Sequence, residues 1–183
     1  QLSTLFAMFF FLANSQNPFI ENKGQFPKKV VAKVNLPSGS LFIENGSLKY
    51  AFYSGIQLKQ IHDLEKNNKI IDAYSYSVNF LNSNNEAISE LIEEGKYYEN
   101  YYIGNNSTWA VNVKSYKSLL QKNIYNGIDV KYYIEKDKLK YDLIITPETS
   151  TDQIKIQYNS VNKLRLVGGN LYVSTTVNTI TES

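Results

Sequence analysis

Alternation of apolar and polar residues is the feature that most constrains the fold of this chain. Over residues 73–80, apolar side chains alternate with serine and asparagine; they are Tyr74, Tyr76, Val78 and Phe80. Successive side chains of a β-strand point to opposite faces, so a period of two predicts a half-buried antiparallel strand. The same alternation recurs along most of the sequence, for example over residues 154–158. The pattern therefore predicts an all-β protein.

Two glycine-containing turns set the register of two predicted β-hairpins. Asn45-Gly46 suits a two-residue type I′ turn, because both positions tolerate positive φ. It pairs Ile43 with Leu48, Leu41 with Tyr50, and Phe42 with Lys49. Gly168-Gly169 forms the other turn, which places Leu166 on Leu171, Leu164 on Val173 and Arg165 opposite Tyr172. In both hairpins the apolar side chains fall on one face.

A further hairpin is predicted over residues 128–145, with a reversal centred on Lys136-Asp137. The apolar pairs are Ile134 with Leu139, Tyr132 with Tyr141, Val130 with Leu143 and Ile128 with Ile145; the opposite face pairs Tyr133 with Lys140 and Lys131 with Asp142. Lys-Asp is a poor type I′ pair, so we expect a four-residue loop over Glu135–Lys138 that keeps this register.

Many short strands separated by turn residues favour an antiparallel β-sandwich built from hairpins. We expect residues 16–183 to form a single domain, with its first strand over Val30–Leu36. We expect at most one short helix, from Glu86 to Glu94, ended by Gly95. We also expect the chain to be the N-terminal module of a longer polypeptide, because its last residues read as a strand that is cut short.

The segment of residues 1–15 has the pattern of the back half of a secretory signal peptide. Leu5 to Leu12 form an apolar run that is too short to span a bilayer, and Ala13-Asn14-Ser15 supplies small residues at a signal-peptidase site. We therefore expect an exported protein, secreted or on the cell surface, whose mature chain starts near Gln16 and has no stable membrane span.

Composition excludes several classes of function. The net charge is only +2, and Arg165 is the only arginine, which argues against nucleic acid as a partner. Cysteine is absent, so thiol catalysis and cysteine-ligated metals are excluded. We expect no cofactor.

Few residues could carry catalysis. His62 is the single histidine and has no nucleophile elbow to partner it, so we expect it on the surface or on an edge strand. Asp129 and Asp142 lie on the same predicted face of adjacent strands and could form a glycosidase pair. Lys131 lies directly across from Asp142, however, so we expect an exposed charge pair instead. We predict no catalytic and no metal-binding residue.

An aromatic segment, residues 96–109, is the best candidate for a contact surface. It contains Tyr97, Tyr98, Tyr101, Tyr102 and Trp109, and aromatic rings of this kind often form sugar-binding or protein-binding faces. A strand would divide these rings between its two faces. We therefore expect core and edge positions for them, with a contact surface as the alternative.

Four phrases of this sequence together resemble a domain of secreted Bacteroidota proteins. They are residues 19–27 (FIENKGQFP), 100–116 (NYYIGNNSTWAVNVKSY), 123–133 (NIYNGIDVKYY) and 139–158 (LKYDLIITPETSTDQIKIQY). The resemblance implies an N-terminal module of unknown function. It also implies downstream SBBP-type β-propeller repeats and a C-terminal sorting or gliding-motility domain.

From these features we expect a non-catalytic extracellular module that acts in adhesion, assembly or display. Its partners would be the downstream domains of its own chain and a surface glycan or protein. The alternative is a carbohydrate-binding module or a polysaccharide-active enzyme, for which the evidence is the aromatic segment and the pair Asp129 and Asp142.

Overall fold

A computed structural model describes residues 18–61, 70–136 and 138–182. The segment 1–15, the expected mature start at Gln16, His62 and Asp137 lie outside the described residues. The described elements, in chain order, are β1 (Phe19–Glu21), β2 (Val30–Leu36), β3 (Gly39–Glu44), β4 (Ser47–Tyr53), α1 (Gly55–Ile61), β5 (Ala73–Phe80), β6 (Ile88–Tyr101), β7 (Ala110–Tyr125), β8 (Ile128–Glu135), β9 (Lys138–Ile145), β10 (Ile156–Asn159), β11 (Lys163–Val167), β12 (Asn170–Ser174) and β13 (Thr179–Glu182).

The strands form two antiparallel sheets. Ten of them make one sheet in the order β10-β5-β4-β3-β2-β1-β7-β8-β9, and β6 pairs with the remaining edge of β7. The long strand β7 makes this branching possible. Along one edge it pairs with β6, and along the other it pairs first with β1 and then with β8. The second sheet has the order β11-β12-β13. The predicted all-β antiparallel fold is confirmed.

The large sheet curls until residues from its two ends meet. The rings of Phe80 on β5 and Tyr141 on β9 lie 6.1 Å apart. The Tyr125 hydroxyl, on β7, donates hydrogen bonds to the carbonyl oxygens of Leu81 and Lys155, which flank β5 and β10. These contacts enclose a core, in which the side chains from both ends of the sheet pack together.

The small sheet packs against the same core. Val173 of β12 is fully buried among core residues of the large sheet, and Leu171 and Ile180 pack against them. The Tyr158 hydroxyl, on β10, donates a 2.5 Å hydrogen bond to the Glu182 carboxylate on β13. One apolar core therefore joins the two sheets.

The three predicted hairpin registers are all confirmed. β3 pairs with β4, β8 with β9 and β11 with β12 residue by residue as the turns and alternation require. The expected four-residue loop of the second hairpin is wrong, because Glu135 and Lys138 still pair as strand residues. Turn chemistry and alternation are local properties, which is why they specify these pairings.

Two predictions about elements are wrong. Residues 86–94 do not form a helix, because most of them belong to strand β6, which pairs with β7. The described helix is α1, at residues 55–61, where the Leu58 amide donates to the Ser54 carbonyl and the Gln57 amide to the Ser54 hydroxyl. Val30–Leu36 is not the first strand, because β1 precedes it.

No helix among the described residues is long and apolar enough to cross a membrane.

Candidate functional site

The two aspartates considered for catalysis lie on the outer face of the large sheet. Val130 and Tyr132 are buried, so the alternating residues of β8, including Asp129, point outward. Asp129 accepts a 2.7 Å hydrogen bond from the Asn123 amide, and exposed Asp142 accepts one from the Tyr133 hydroxyl at 3.2 Å. Each carboxylate therefore has its own local structural partner.

The predicted register that places Lys131 opposite Asp142 is confirmed, but the predicted ion pair between their side chains is wrong. The two residues are Cα partners across β8 and β9. Within the described part of the chain, however, no ion pair joins them. On this hairpin Lys140 instead pairs with Glu135 at 2.6 Å. Both side chains of that pair are about half exposed, so it contributes little to stability.

The described residues offer little else for acid–base or metal chemistry. They contain no group of three or more His, Asp or Glu side chains that could hold a metal ion. A shallow depression of about 160 Å³ lies on β4 and β5, and it is lined by Ala51, Phe52, Tyr53, Ala73, Tyr74 and Ser75. None of these side chains is a carboxylate or an imidazole, so this depression lacks an acid or base of that kind.

The aromatic segment forms the end of the β6–β7 hairpin, and most of its rings face solvent. The exposed fractions are 84% for Tyr97, 59% for Tyr98, 60% for Tyr102 and 42% for Trp109. The expected edge position is confirmed, since β6 is hydrogen-bonded to β7 alone among the described strands. The expected core position is wrong for these four rings.

The fifth ring, Tyr101, anchors the hairpin. It packs on a small second core made of Ile20, Ala110 and Val113, and its ring contacts Phe26 edge-on with centroids 5.8 Å apart. Its hydroxyl donates to the Glu99 carboxylate at 2.6 Å. Burial and this hydrogen bond raise the pKa of the Tyr101 hydroxyl. Tyr101 therefore remains neutral at ordinary pH and acts as a structural anchor.

The hairpin end, which we call the aromatic tip (residues 102–112), has a defined conformation. Gly104 adopts a φ of +76°, and the Thr108 hydroxyl donates to the Ile103 carbonyl at 2.7 Å. The Trp109 ring meets Tyr102 nearly edge-on, with centroids 4.9 Å apart and planes at 77°. Such aromatic pairs are stabilising beyond their buried area. The exposed rings are therefore held in place by local structure.

The loop after β1 supports the hairpin from the side, and the phrase FIENKGQFP spans β1 and most of this loop. The Asn22 amide nitrogen donates to the carbonyl oxygens of Phe26, Pro27 and Val30 at 3.3, 3.0 and 2.8 Å. Its oxygen accepts from the amides of Gly24 and Phe26. This phrase therefore builds a loop, and one asparagine side chain closes it.

Two contacts tie this loop and β1 to the hairpin. The Lys23 ammonium donates to the Asn112 carbonyl at 2.9 Å, and the Glu21 carboxylate accepts from the Lys114 amide at 2.7 Å. Phe26 also packs against Phe42 of β3, with ring centroids 5.7 Å apart. The aromatic tip is thus mounted on the large sheet by polar contacts and aromatic packing.

A second group of tyrosines lies in the core and against it; Tyr76 and Tyr132 are buried, and Tyr50 and Tyr158 are half-buried. Burial raises the pKa of Tyr50, Tyr76, Tyr132 and Tyr158, and the hydrogen bond to Glu182 adds to the effect on Tyr158. Burial also raises the pKa of the Glu182 carboxyl. Hydroxyls with raised pKa values stay protonated and are poor nucleophiles or bases, so this cluster is a structural part of the core.

The aromatic segment could be identified from the sequence, but the loop after β1 that supports it could not. Lys23 and Phe26 lie in a phrase that carries the family resemblance, yet local alternation gives no sign that they contact Asn112 and Tyr101, which come more than 70 positions later. The capping signal Ser54-Gly55-Ile56-Gln57 could have located helix α1, because Ser followed three residues later by Gln is typical of a helix start.

Comparison with known proteins gives one match. A family model described as "Domain of unknown function (DUF7948)" matches residues 19–183. No curated protein and no solved structure matches the chain. The match covers every described strand up to Glu182, so it spans both sheets.

Proposed function

The chain belongs to the DUF7948 family of domains of unknown function, and on that premise we propose that it is a non-catalytic extracellular module of a secreted or cell-surface protein. It acts in adhesion, assembly or display. The observation that carries this proposal is the aromatic tip, whose rings are exposed to solvent and held by local hydrogen bonds. Exposed, ordered Tyr and Trp side chains are the residues that most often dominate binding energy at an interface.

The extracellular location is supported by the sequence. Residues 5–12 are apolar, and Ala13-Asn14-Ser15 follows them as a cleavage site. The family resemblance supports a Bacteroidota protein in which β-propeller repeats and a sorting or gliding-motility domain follow this module. In such an arrangement, the module would be presented to the surroundings by the domains that anchor it.

Two features support a non-catalytic role. Asp129 and Asp142 on the outer face of the sheet are each hydrogen-bonded to a different local partner, which favours a structural role over that of a glycosidase pair. The buried tyrosines have raised pKa values, which disfavours a role as nucleophile or base. A polysaccharide-active enzyme therefore has no geometric support here, whereas a carbohydrate-binding module agrees with the exposed rings.

Recovery of the full-length gene and mass spectrometry of the secreted protein test the location. We expect downstream propeller repeats and a mature N-terminus near Gln16; an intact cytoplasmic species that retains residues 5–12 would contradict export.

An adhesion assay tests the role. Fluorescently labelled chain is applied to envelope fractions and extracellular matrix of the source cells, beside the variant Trp109→Ala and the control Tyr53→Ala. Tyr53 is another exposed aromatic residue, 47% exposed, and lies on β4 outside the hairpin. We expect adhesion that is lost in Trp109→Ala and retained in Tyr53→Ala. Adhesion that is equal in all three would refute the role of the hairpin.

A further inference from the structure

The aromatic tip has a composition that restricts its partner. Residues 100–113, NYYIGNNSTWAVNV, contain no lysine, arginine, aspartate or glutamate, in a chain whose charged fraction is 20%. The Lys23 ammonium, which donates to the Asn112 carbonyl of the tip at 2.9 Å, is paired with the Glu21 carboxylate at 3.6 Å. The side chains of the tip itself carry no charge, so they give little electrostatic attraction for an anionic or cationic polymer and no compensation for the desolvation of a charged ligand. The partner that fits this surface is therefore itself uncharged.

The exposed apolar side chains of the tip provide the area for contact. Tyr102, Ile103, Trp109 and Val111 are 60%, 66%, 42% and 53% exposed. For side chains of these sizes, this corresponds to roughly 400 Å² of accessible surface. This area is large enough for several sugar rings, and the rings of Tyr102 and Trp109 form part of it.

Polar groups beside the rings complete the match to a sugar. Asn106 and Asn112 are exposed, and within the described part of the chain their side-chain amides make no hydrogen bond. An amide both donates and accepts, as a sugar hydroxyl does. The carbon–hydrogen face of a pyranose is apolar and stacks on an aromatic ring, while its hydroxyls need such polar partners.

We propose that the aromatic tip binds a neutral polysaccharide, with Tyr102 and Trp109 as the rings that contact the sugars and Asn106 and Asn112 as hydrogen-bonding partners. This inference rests on the proposed function, since it names the partner of the same surface. It goes beyond that function by specifying a glycan without charge. A protein partner is the competing outcome of the test.

Binding of the full chain to immobilised polysaccharides tests the inference. The neutral members are cellulose, amylose, mannan and xylan, and polygalacturonate is the acidic comparison. We expect saturable binding to at least one neutral polysaccharide, weakened about tenfold or more by Tyr102→Ala and by Trp109→Ala. Tyr53→Ala should bind like the wild type. Thermal unfolding of each variant verifies that the fold is retained.

The possible results separate this inference from the proposed function. Binding to polygalacturonate alone, or glycan binding that neither ring variant weakens, would overturn the glycan assignment. Absence of binding to every neutral polysaccharide would also overturn it; if the same variants still abolish adhesion in the envelope assay, the proposed function stands with a protein partner. Absence of both glycan binding and adhesion in the wild type would overturn the glycan assignment and the proposed function together.

Discussion

Replacement of Asn22 by alanine should unfold the loop that supports the aromatic hairpin. The side chain makes three donated and two accepted hydrogen bonds to backbone groups of residues 24–30. Each hydrogen bond contributes about 0.5–1.5 kcal/mol net to stability. Because part of the loop is exposed, water can replace some of the lost bonds, and the total loss is smaller than their sum. We therefore expect Asn22→Ala to lower the free energy of unfolding by about 2–4 kcal/mol.

Asn22→Asp provides a sharper test of the same geometry. It keeps the oxygen that accepts from Gly24 and Phe26, but it replaces the donating nitrogen by an oxygen among three carbonyl groups. Repulsion between these oxygens should make Asn22→Asp at least as destabilising as Asn22→Ala. The matched control is Asn106→Ala, an exposed asparagine whose replacement should cost less than about 0.5 kcal/mol.

Urea unfolding followed by circular dichroism measures these differences. A loss below about 0.5 kcal/mol for Asn22→Ala, equal to that of the control, would refute the reasoning about the loop. A stable Asn22→Asp variant would refute the assignment of the three carbonyl partners.

Two further predictions concern the core. Burial raises the pKa of the Glu182 carboxyl, so the folded chain binds this proton more tightly than the unfolded chain. The stability that this group contributes is therefore present below the unfolded pKa. It is lost as the pH rises through the folded pKa. Glu182→Gln should remove that dependence in urea unfolding at a series of pH values, and an unchanged pH profile would contradict it. Gly39→Ala should destabilise the chain by more than about 2 kcal/mol in the same assay, because a Cβ there would lie 2.0 Å from the Ala51 carbonyl oxygen; wild-type stability would contradict this.

Local signals explain what could be predicted from the sequence. The hairpin at Asn45-Gly46 combines a turn that favours positive φ with an apolar face, and both properties can be read within a dozen residues. The exposed aromatic segment could also be located, because its composition is unusual. Whether its rings were buried could not be predicted, since that depends on what packs against each face of β6.

Long-range pairing explains the wrong helix at residues 86–94. Ile88, Leu91 and Ile92 are spaced as on a helix, but the acidic residues between and after them pair with lysines of β7. Glu90 contacts Lys122 at 2.7 Å, Glu94 contacts Lys114 at 3.2 Å, and Glu93 pairs with Lys117. These partners lie between 20 and 32 residues away in the sequence. A local pattern cannot reveal the pairing of β6 with β7, whose backbone ladder favours the strand, while the exposed ion pairs add little.

Trp109 fluorescence shows whether the aromatic tip is an exposed binding surface. Trp109 is the only tryptophan of the chain, so its emission reports on this surface alone. In the free protein we expect emission at long wavelength and strong quenching by acrylamide. Addition of a neutral polysaccharide that the chain binds should shift the emission to shorter wavelength and protect it from quenching, with saturation. Short-wavelength emission that acrylamide cannot quench in the free protein would place Trp109 in a core and rule out an exposed binding surface at the tip.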